Sequence, residues 1–209
     1  MKCPLCTSEE SQSLPRTLEG RLYLKCATCD FVWLSPVFRV SEREEEDRYL
    51  EHHNSPDIPA YRAYLSRLAQ PVLQHVNRGA LGLDYGCGPV EGMKALLEPD
   101  GYEVASYDPY FFPRFPEGPF DFVLCSEAAE HFHAPAEEFA RIDAILKPKG
   151  VLGVSSWLLP PPEKFEDWSY RRDKTHVGFF GEKSVRWLAR ARGWEILALE
   201  SPLWILRKG

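Results

Sequence analysis

Six cysteines stand in this chain, and four of them pair off. Cys3-x-x-Cys6 lies at the start, and Cys26-x-x-Cys29 follows after nineteen intervening residues. A Cys-x-x-Cys pair on a tight turn aims two sulfurs at one point, and two such pairs complete the tetrahedron of thiolates that zinc prefers. With Cys3, Cys6, Cys26 and Cys29 as ligands, every coordination position is taken, so the Zn2+ would be structural. Its binding would supply the folding energy that a segment of about 35 residues lacks from its own core. Arg21 to Lys25 and Phe31 to Leu34 read as the short strands entering and leaving the second pair. The spacing predicts a zinc ribbon; the other reading is four reduced thiols that share no ion. Cys87 and Cys125 sit in glycine-rich or apolar surroundings and are not expected to bind metal.

A second constellation begins at Leu81-Gly82-Leu83-Asp84-Tyr85-Gly86-Cys87-Gly88-Pro89. An apolar strand runs into alternate glycines and then into a helix, expected over Val90 to Leu97. Glycine permits a sharp bend and a close ligand approach, and the helix start presents free N–H groups. Asp84 precedes the glycines. An acid there would repel a pyrophosphate and suit a ligand carrying an ammonium group, which favours S-adenosylmethionine over NAD. The alternative is a turn with a purely structural role. Tyr102 to Asp108 alternates like a second strand and ends in an acid 24 positions after Asp84. A carboxylate so placed can accept both hydroxyls of a ribose. Phe120 to Cys125 reads as a third strand, with Ser126 and Glu127 at its carboxyl end.

Further along stand the groups able to move a proton: Glu127, His131, His133 and His176. His131 is either a packing and loop-orienting residue or a base. The stretch Trp157 to Lys174, rich in aromatics and charge, reads as a substrate lid or as a cover for the core. Within it, Arg171, Arg172 and Lys174 could meet an anionic substrate or simply be solvated.

The elements that must position these groups are legible too. Ser41 with Glu44 three residues on is a capping-box pattern, so a helix is expected from there to about His52. Its acidic residues read as a solvated face. A second amphipathic helix is expected from about Ala60 to Val76, with Tyr61, Tyr64, Leu65, Leu68, Val72 and Val76 on one face. Tyr61 and Tyr64 either cover the cofactor or pack the helix onto the ribbon, and Tyr61 is preferred for the cofactor because it follows Pro59-Ala60 at the helix start. Tyr85 and the loop after Asp108 would form the opposite wall. A helix from about Ala136 to Leu146 and a strand from Val151 to Ser155 follow. The expected division is a ribbon over 1–38, a helical connector over 39–78 and an α/β domain over 79–209.

Composition agrees with a folded chain: 209 residues, 44% hydrophobic and 27% charged. No apolar run approaches the roughly 20 residues of a membrane span, and the first residues show no secretory pattern. A cytoplasmic, reducing setting is therefore expected, in which the cysteines stay free of disulfides. The net charge of −6 weighs against coating of nucleic acid by bulk electrostatics.

From about Ala80 onward the chain resembles the class I S-adenosylmethionine-dependent methyltransferases. Asp84, Gly86 and Gly88 are similar to that family's Asp-x-Gly-x-Gly loop, and Asp108 to its ribose-binding acid. Glu127-Ala128-Ala129-Glu130-His131 resembles its Glu-x-x-Glu-His segment, and Leu146-Lys147-Pro148-Lys149-Gly150 the turn before its fifth strand. His176-Val177-Gly178-Phe179-Phe180 and Leu188 to Trp194 are similar to its later motifs. The resemblance implies a Rossmann-like doubly wound α/β sheet with cofactor contacts at Tyr61, Asp84, Tyr85, Gly86, Cys87, Gly88, Asp108, Pro109, Tyr110, Ser126, Glu127 and His131. It further implies His176 and His131 as candidate catalytic groups. Val90 stands where the family carries a third glycine, and only eleven residues separate Asp108 from Phe120. The sheet is thus expected to lack an edge strand, with the adenine held by Tyr110-Phe111-Phe112 or left partly open. Three functions are compatible with these residues: a methyltransferase acting on a small molecule, one acting on RNA or protein through the ribbon, and a non-catalytic cofactor-binding protein. The first is expected.

Overall fold

The computed structural model describes residues 1–15, 17–51 and 54–209; the expected helix end near His52 lies outside them. Two sheets organise the chain. The larger has six strands: β4 (Leu81–Tyr85), β5 (Glu103–Tyr107), β6 (Phe120–Ser126), β7 (Leu146–Ser155), β9 (Glu195–Glu200) and β10 (Leu203–Arg207), in the order β5-β4-β6-β7-β10-β9. The first four strands are parallel, and β10 runs antiparallel to both neighbours. β5 is an edge: between Asp108 and Phe120 only an isolated bridge from Asp108 to Phe112 forms. The four prolines in that stretch leave no room for a further strand.

The central strands are apolar throughout because helices cover both faces. On one face lie α2 (Pro59–Leu73) and α3 (Gly92–Leu97), whose Leu65, Leu68, Val72, Met93 and Leu96 pack on Phe122, Leu124, Val151 and Ile205. On the other lie α4 (Pro135–Ile145) and α5 (Glu182–Arg192), over Leu83, Val123, Cys125, Leu152, Val154 and Trp204. The period-2 alternation of Phe122, Val123, Leu124 and Cys125 assigns them in turn to the two faces.

The smaller, antiparallel sheet contains β1 (Ser11–Ser13), β2 (Tyr23–Cys26) and β3 (Val32–Leu34), and its fourth strand comes from far downstream. β8 (Gly178–Phe179), just after His176, pairs with β3 through Val32↔Phe179 and Trp33↔Gly178. The cysteine-bearing segment shares a hydrophobic core with the larger sheet, since Leu5, Phe31 and Trp33 belong to the same buried cluster as Phe139, Phe180 and Trp204. Helix α1 (Glu42–Leu50) starts as its sequence requires. Ser41 Oγ accepts the Glu44 N–H, and the Glu44 carboxylate accepts the Ser41 N–H at 2.9 Å.

Candidate active site

The ends of β4 and β5 lie side by side, with Asp84 opposite Ser106 and Tyr85 opposite Tyr107. The chain then turns: the N–H groups of Gly86 and Cys87 both donate to the Tyr107 carbonyl, at 2.8 and 3.1 Å. Gly86 has φ +81°, and a Cβ there would come within 2.5 Å of the Ala128 side chain. Gly88 has φ +67° and opens onto unfilled space. Both positions demand glycine. Asp108, buried at the end of β5, ties the turn together. Its Oδ2 accepts the Gly88 N–H at 3.0 Å, and its Oδ1 accepts those of Tyr110 and Phe111 at 2.9 and 3.2 Å.

Asp84 is buried beneath this turn. Burial pushes its carboxyl up to about 7, reinforced by the charges of Asp108 and Glu91 and opposed by one N–H from Met93. An acid without a cation, next to two further acids, is a place where a positive ligand gains. Cys87 borders the same turn, and burial raises its thiol, so it is not a thiolate nucleophile. Tyr61 on α2 packs over Gly92, its hydroxyl 2.8 Å from where a Cβ would project. Burial, then the nearby Asp84 charge, pushes that hydroxyl up to about 12. Its helix packs on α3 and the large sheet. Tyr85 takes a different place from the wall expected of it. Its ring is buried among Tyr107, Phe115 and Phe132 and its hydroxyl is bonded to Glu138, so at the turn only its backbone is presented. Pro109 is exposed, and the Tyr110 hydroxyl donates to Glu45 Oε2 at 2.6 Å. Beside β5's free edge, Ser106, Phe112, Arg114, Pro116 and Glu117 line a groove of about 360 Å³.

β6 delivers the other half of the site. Ser126 stands opposite Ser155, and Glu127 follows with φ +47°, its carboxylate accepting the Ser155 hydroxyl at 3.0 Å. Such a φ on a glutamate is costly and holds the side chain in one direction. Glu130 is fully buried, and the Tyr170 hydroxyl donates to its Oε1. Burial, then the charge of Glu127, pushes Glu130 up to about 8; burial also raises Glu127. The rings of His131 and His176 are 4.8 Å apart, and the two side chains share one arrangement. His131 Nδ1 is 3.0 Å from the Thr175 carbonyl and His176 Nδ1 is 2.7 Å from the Tyr170 carbonyl. A carbonyl only accepts, so both protons sit on Nδ1 and Nε2 is the basic nitrogen of each ring.

Helix α1 is drawn into this region through Glu45, which corrects the solvated-face reading for that one acid; Glu42, Glu44, Glu46 and Asp47 are exposed. Glu45 is buried, bonded to Tyr110 and to His133 Nε2 at 2.8 Å. Tyr49 stands edge-on to His131, centroids 5.2 Å apart. His133 is therefore engaged in this clamp. Arg48 Nη2 pairs with Asp173 at 2.9 Å. Although burial opposes ionisation, the Thr175 hydroxyl and N–H and the Arg48 guanidinium hold Asp173 well below the usual carboxylate range. Sequence reasoning weighed Tyr64 beside Tyr61 and preferred Tyr61, yet the Tyr64 hydroxyl reaches Glu127 and Ser155; Glu130 and Tyr170 were not among the candidate site residues. The signal for Glu130 was its i,i+3 spacing from Glu127 on the same segment; Tyr170 had none.

The stretch from Trp157 to Lys174 clasps the small sheet. Phe165 stacks edge-on against Tyr23 and Phe179, and Trp168 lies against Tyr170 and Phe179. Arg171 is neither solvated nor open to an anionic substrate. It is 1% exposed, paired with Glu19 and Glu166 at 3.1 Å each, and donates to the Phe165 carbonyl. Arg172 and Lys174 are exposed.

The four N-terminal sulfurs lie within 4.8 Å of one another, with Cys3–Cys29 at 3.7 Å and Cys6–Cys26 at 3.4 Å. Tetrahedral zinc with 2.3 Å bonds spaces its sulfurs about 3.8 Å apart. The donor set and its spacing fit that ion. Thiol proximity holds Cys3 down to about 5, while burial raises Cys6 to about 11.

A parallel sheet whose first strand ends in a glycine turn, with acids closing strands one and two, defines a nucleotide-cofactor type of α/β protein. A family model described as a methyltransferase domain matches residues 50–199, and the chain belongs to this methyltransferase family. Among solved structures, it is similar to the 1,6-didemethyltoxoflavin-N1-methyltransferase of Burkholderia thailandensis, determined with S-adenosylhomocysteine. The identity is 18%, covering 95% of this chain and 99% of that one, with a TM-score of 0.58. It is also similar to the N-methyltransferase NodS of Bradyrhizobium japonicum, likewise with S-adenosylhomocysteine, at 16% identity over 79% and 97% of the two chains and a TM-score of 0.51. The PH0226 protein of Pyrococcus horikoshii gives 16% identity over 78% and 99%, with a TM-score of 0.53. At these identities the likeness establishes the fold. No curated protein matches the chain. No helix among the described residues is long and apolar enough to cross a membrane.

Proposed function

We propose that this protein transfers a methyl group from S-adenosylmethionine to a small-molecule acceptor, and that Cys3, Cys6, Cys26 and Cys29 hold a structural Zn2+. The observation that carries the donor assignment is Asp84, a buried acid under the glycine turn that meets the Met93 N–H but no cation among the described residues, with Asp108 and Glu91 beside it. Asp84 and Asp108 at one turn, with Glu91 beside them already paired to Lys94, fit a ligand bearing an ammonium and a sulfonium, and disfavour a pyrophosphate.

Asp84 and the turn from Gly86 to Gly88 would hold the methionine end, with Tyr61 covering it. Asp108 has one lone pair of Oδ2 left over from its three loop bonds for a ribose hydroxyl. When bound, the cofactor supplies an electrophilic methyl group. The chain's own work is to position the acceptor and exclude water. Ser126, Glu127, Glu130, His131 and His176 form the acceptor end, where Tyr49 and Tyr170 fence off solvent.

The small-molecule reading is supported by a site closed over by α1 and the clasp, and by the similar fold of an enzyme named for a didemethyltoxoflavin substrate. The inner face of the cysteine-bearing sheet is committed to the core, which leaves less of it to read an RNA or a protein. Incubation with methyl-labelled S-adenosylmethionine and separate fractions of metabolites, RNA and protein tests this. Label is expected in the metabolite fraction. Label in RNA or protein alone would overturn the acceptor class.

A further inference from the structure

The acceptor end holds a feature that methyl-group positioning alone does not require. One ligand atom each from Glu130, His131 and His176 lies within 4.8 Å of the others. Glu130 is completely buried, and its Oε2 has no hydrogen-bond partner among the described residues. An orphaned carboxylate oxygen in the interior is costly unless something meets it. Both histidines are locked by Nδ1 donation to backbone carbonyls, at 3.0 and 2.7 Å. That is the outer arrangement by which proteins orient a ligating imidazole and raise the basicity of its other nitrogen. Tyr170 repeats the device for the carboxylate by holding Glu130 Oε1.

We propose that Glu130, His131 and His176 bind a divalent metal ion, and that its open coordination positions take an oxygen of the methyl acceptor. Two imidazoles and a carboxylate suit divalent first-row metals such as Mn2+, Co2+ or Zn2+. Bonds of about 2.0–2.2 Å need donors roughly 3–3.5 Å apart, so the three groups draw in slightly on loading. Three protein ligands leave positions for water or substrate, unlike the closed set of four cysteines. Glu127, next to Ser155 at the same strand ends, brings a second carboxyl group close to Glu130. The acceptor class follows, given the methyl-donor reading above. A hydroxyl that ligates the ion loses its proton to solvent more readily. Its oxygen then forms the bond to the methyl carbon as the carbon–sulfur bond breaks, the electron pair passing to sulfur to give the thioether. The proposal is thus for O-methylation of a metal-chelating hydroxyl compound.

The test uses the full-length protein, treated with a mild chelator and titrated with Mn2+, which thiolates bind poorly. Electron paramagnetic resonance reads free against bound Mn2+, and calorimetry with S-adenosylhomocysteine is run on every sample. One Mn2+ per chain is expected. Glu130→Gln, which keeps the shape of the side chain, and His176→Ala should each weaken it at least tenfold. Zinc content and S-adenosylhomocysteine affinity should stay unchanged, which certifies the fold of both variants. No bound Mn2+ in the wild type, or equal binding in both variants, overturns the site. Mn2+ bound by the wild type and lost in the variants, without any binding of S-adenosylhomocysteine, upholds the metal site and removes the donor reading. Transfer of label to an oxygen acceptor at full rate without metal would overturn the ion's role in the reaction.

Discussion

Asp108 Oδ2 accepts the backbone N–H of Gly88 at 3.0 Å, so the end of the second parallel strand clamps the glycine turn that leaves the first. The same carboxylate gathers the N–H groups of Tyr110 and Phe111 on its other oxygen. A residue expected to serve a ribose is therefore also the keystone of the loop that would receive it.

Asp108→Ala should weaken S-adenosylhomocysteine by at least tenfold and lower the melting temperature as well. Each charge-assisted bond lost is worth roughly 1.5–3 kcal/mol. Asp108→Asn should fail too, because its amide would turn an N–H toward either Gly88 or the Tyr110–Phe111 pair. Unchanged affinity in both variants, measured by calorimetry, would remove Asp108 from the site.

Asp84 gives a pH dependence of known sign. Its folded pKa, about 7, lies above the ordinary carboxylate value, so between these two pH values the folded protein holds a proton that the unfolded chain has lost. Its contribution to apo stability is present at low pH and fades as the pH rises through about 7. The groups facing it are Asp108, Glu91, Tyr61 and Cys87, none of them cationic. An ammonium ligand prefers the ionised acid, so affinity for S-adenosylhomocysteine should climb from pH 6 to pH 8, by up to about tenfold per pH unit below the pKa. Asp84→Asn should flatten both trends, as thermal melts and calorimetry across that range would register.

Arg171→Ala should loosen the clasp on the small sheet. It removes a 1%-exposed guanidinium bonded to Glu19, Glu166 and the Phe165 carbonyl. Because both acids are partly exposed, the cost should be about 2–3 kcal/mol rather than that of a sealed ion pair. For a chain of this size that is a fall of roughly 4–12 °C in melting temperature. A change under one degree would show the clasp to be passive.

Metal analysis of protein prepared without chelator should find one Zn2+ per chain that is lost on replacing Cys26 with Ser. Leu5, Phe31 and Trp33 share a core with Phe139 and Trp204, so stripping the zinc should shift one cooperative melt of the whole chain. A separate early transition, with the main one unmoved, would mean the cysteine-bearing segment folds alone.

What the sequence made legible followed from local rules. The cysteine spacing, the Ser41–Glu44 capping box, the glycine turn between two acids and the proline-broken gap after Asp108 are all written in short motifs and their spacing along the chain. What stayed hidden depends on long-range packing. Pairing of β3 with a two-residue strand after His176 left no periodicity to read. The burial of Glu45 came from Tyr110 and His133 on other elements, and that of Arg171 from Glu19, far away in the chain. Tyr85 illustrates the converse: its position in the turn was plain, but which face its ring would take was decided by Glu138 on a later helix.

The central claim is that the acids around Gly86 and Gly88 select a cationic nucleoside cofactor. Titration calorimetry of the wild-type protein with S-adenosylhomocysteine and, separately, with NAD addresses it directly. Saturable one-to-one binding of S-adenosylhomocysteine and no heat from NAD is the predicted result. Binding of NAD, or no binding of S-adenosylhomocysteine by the folded protein, would contradict it.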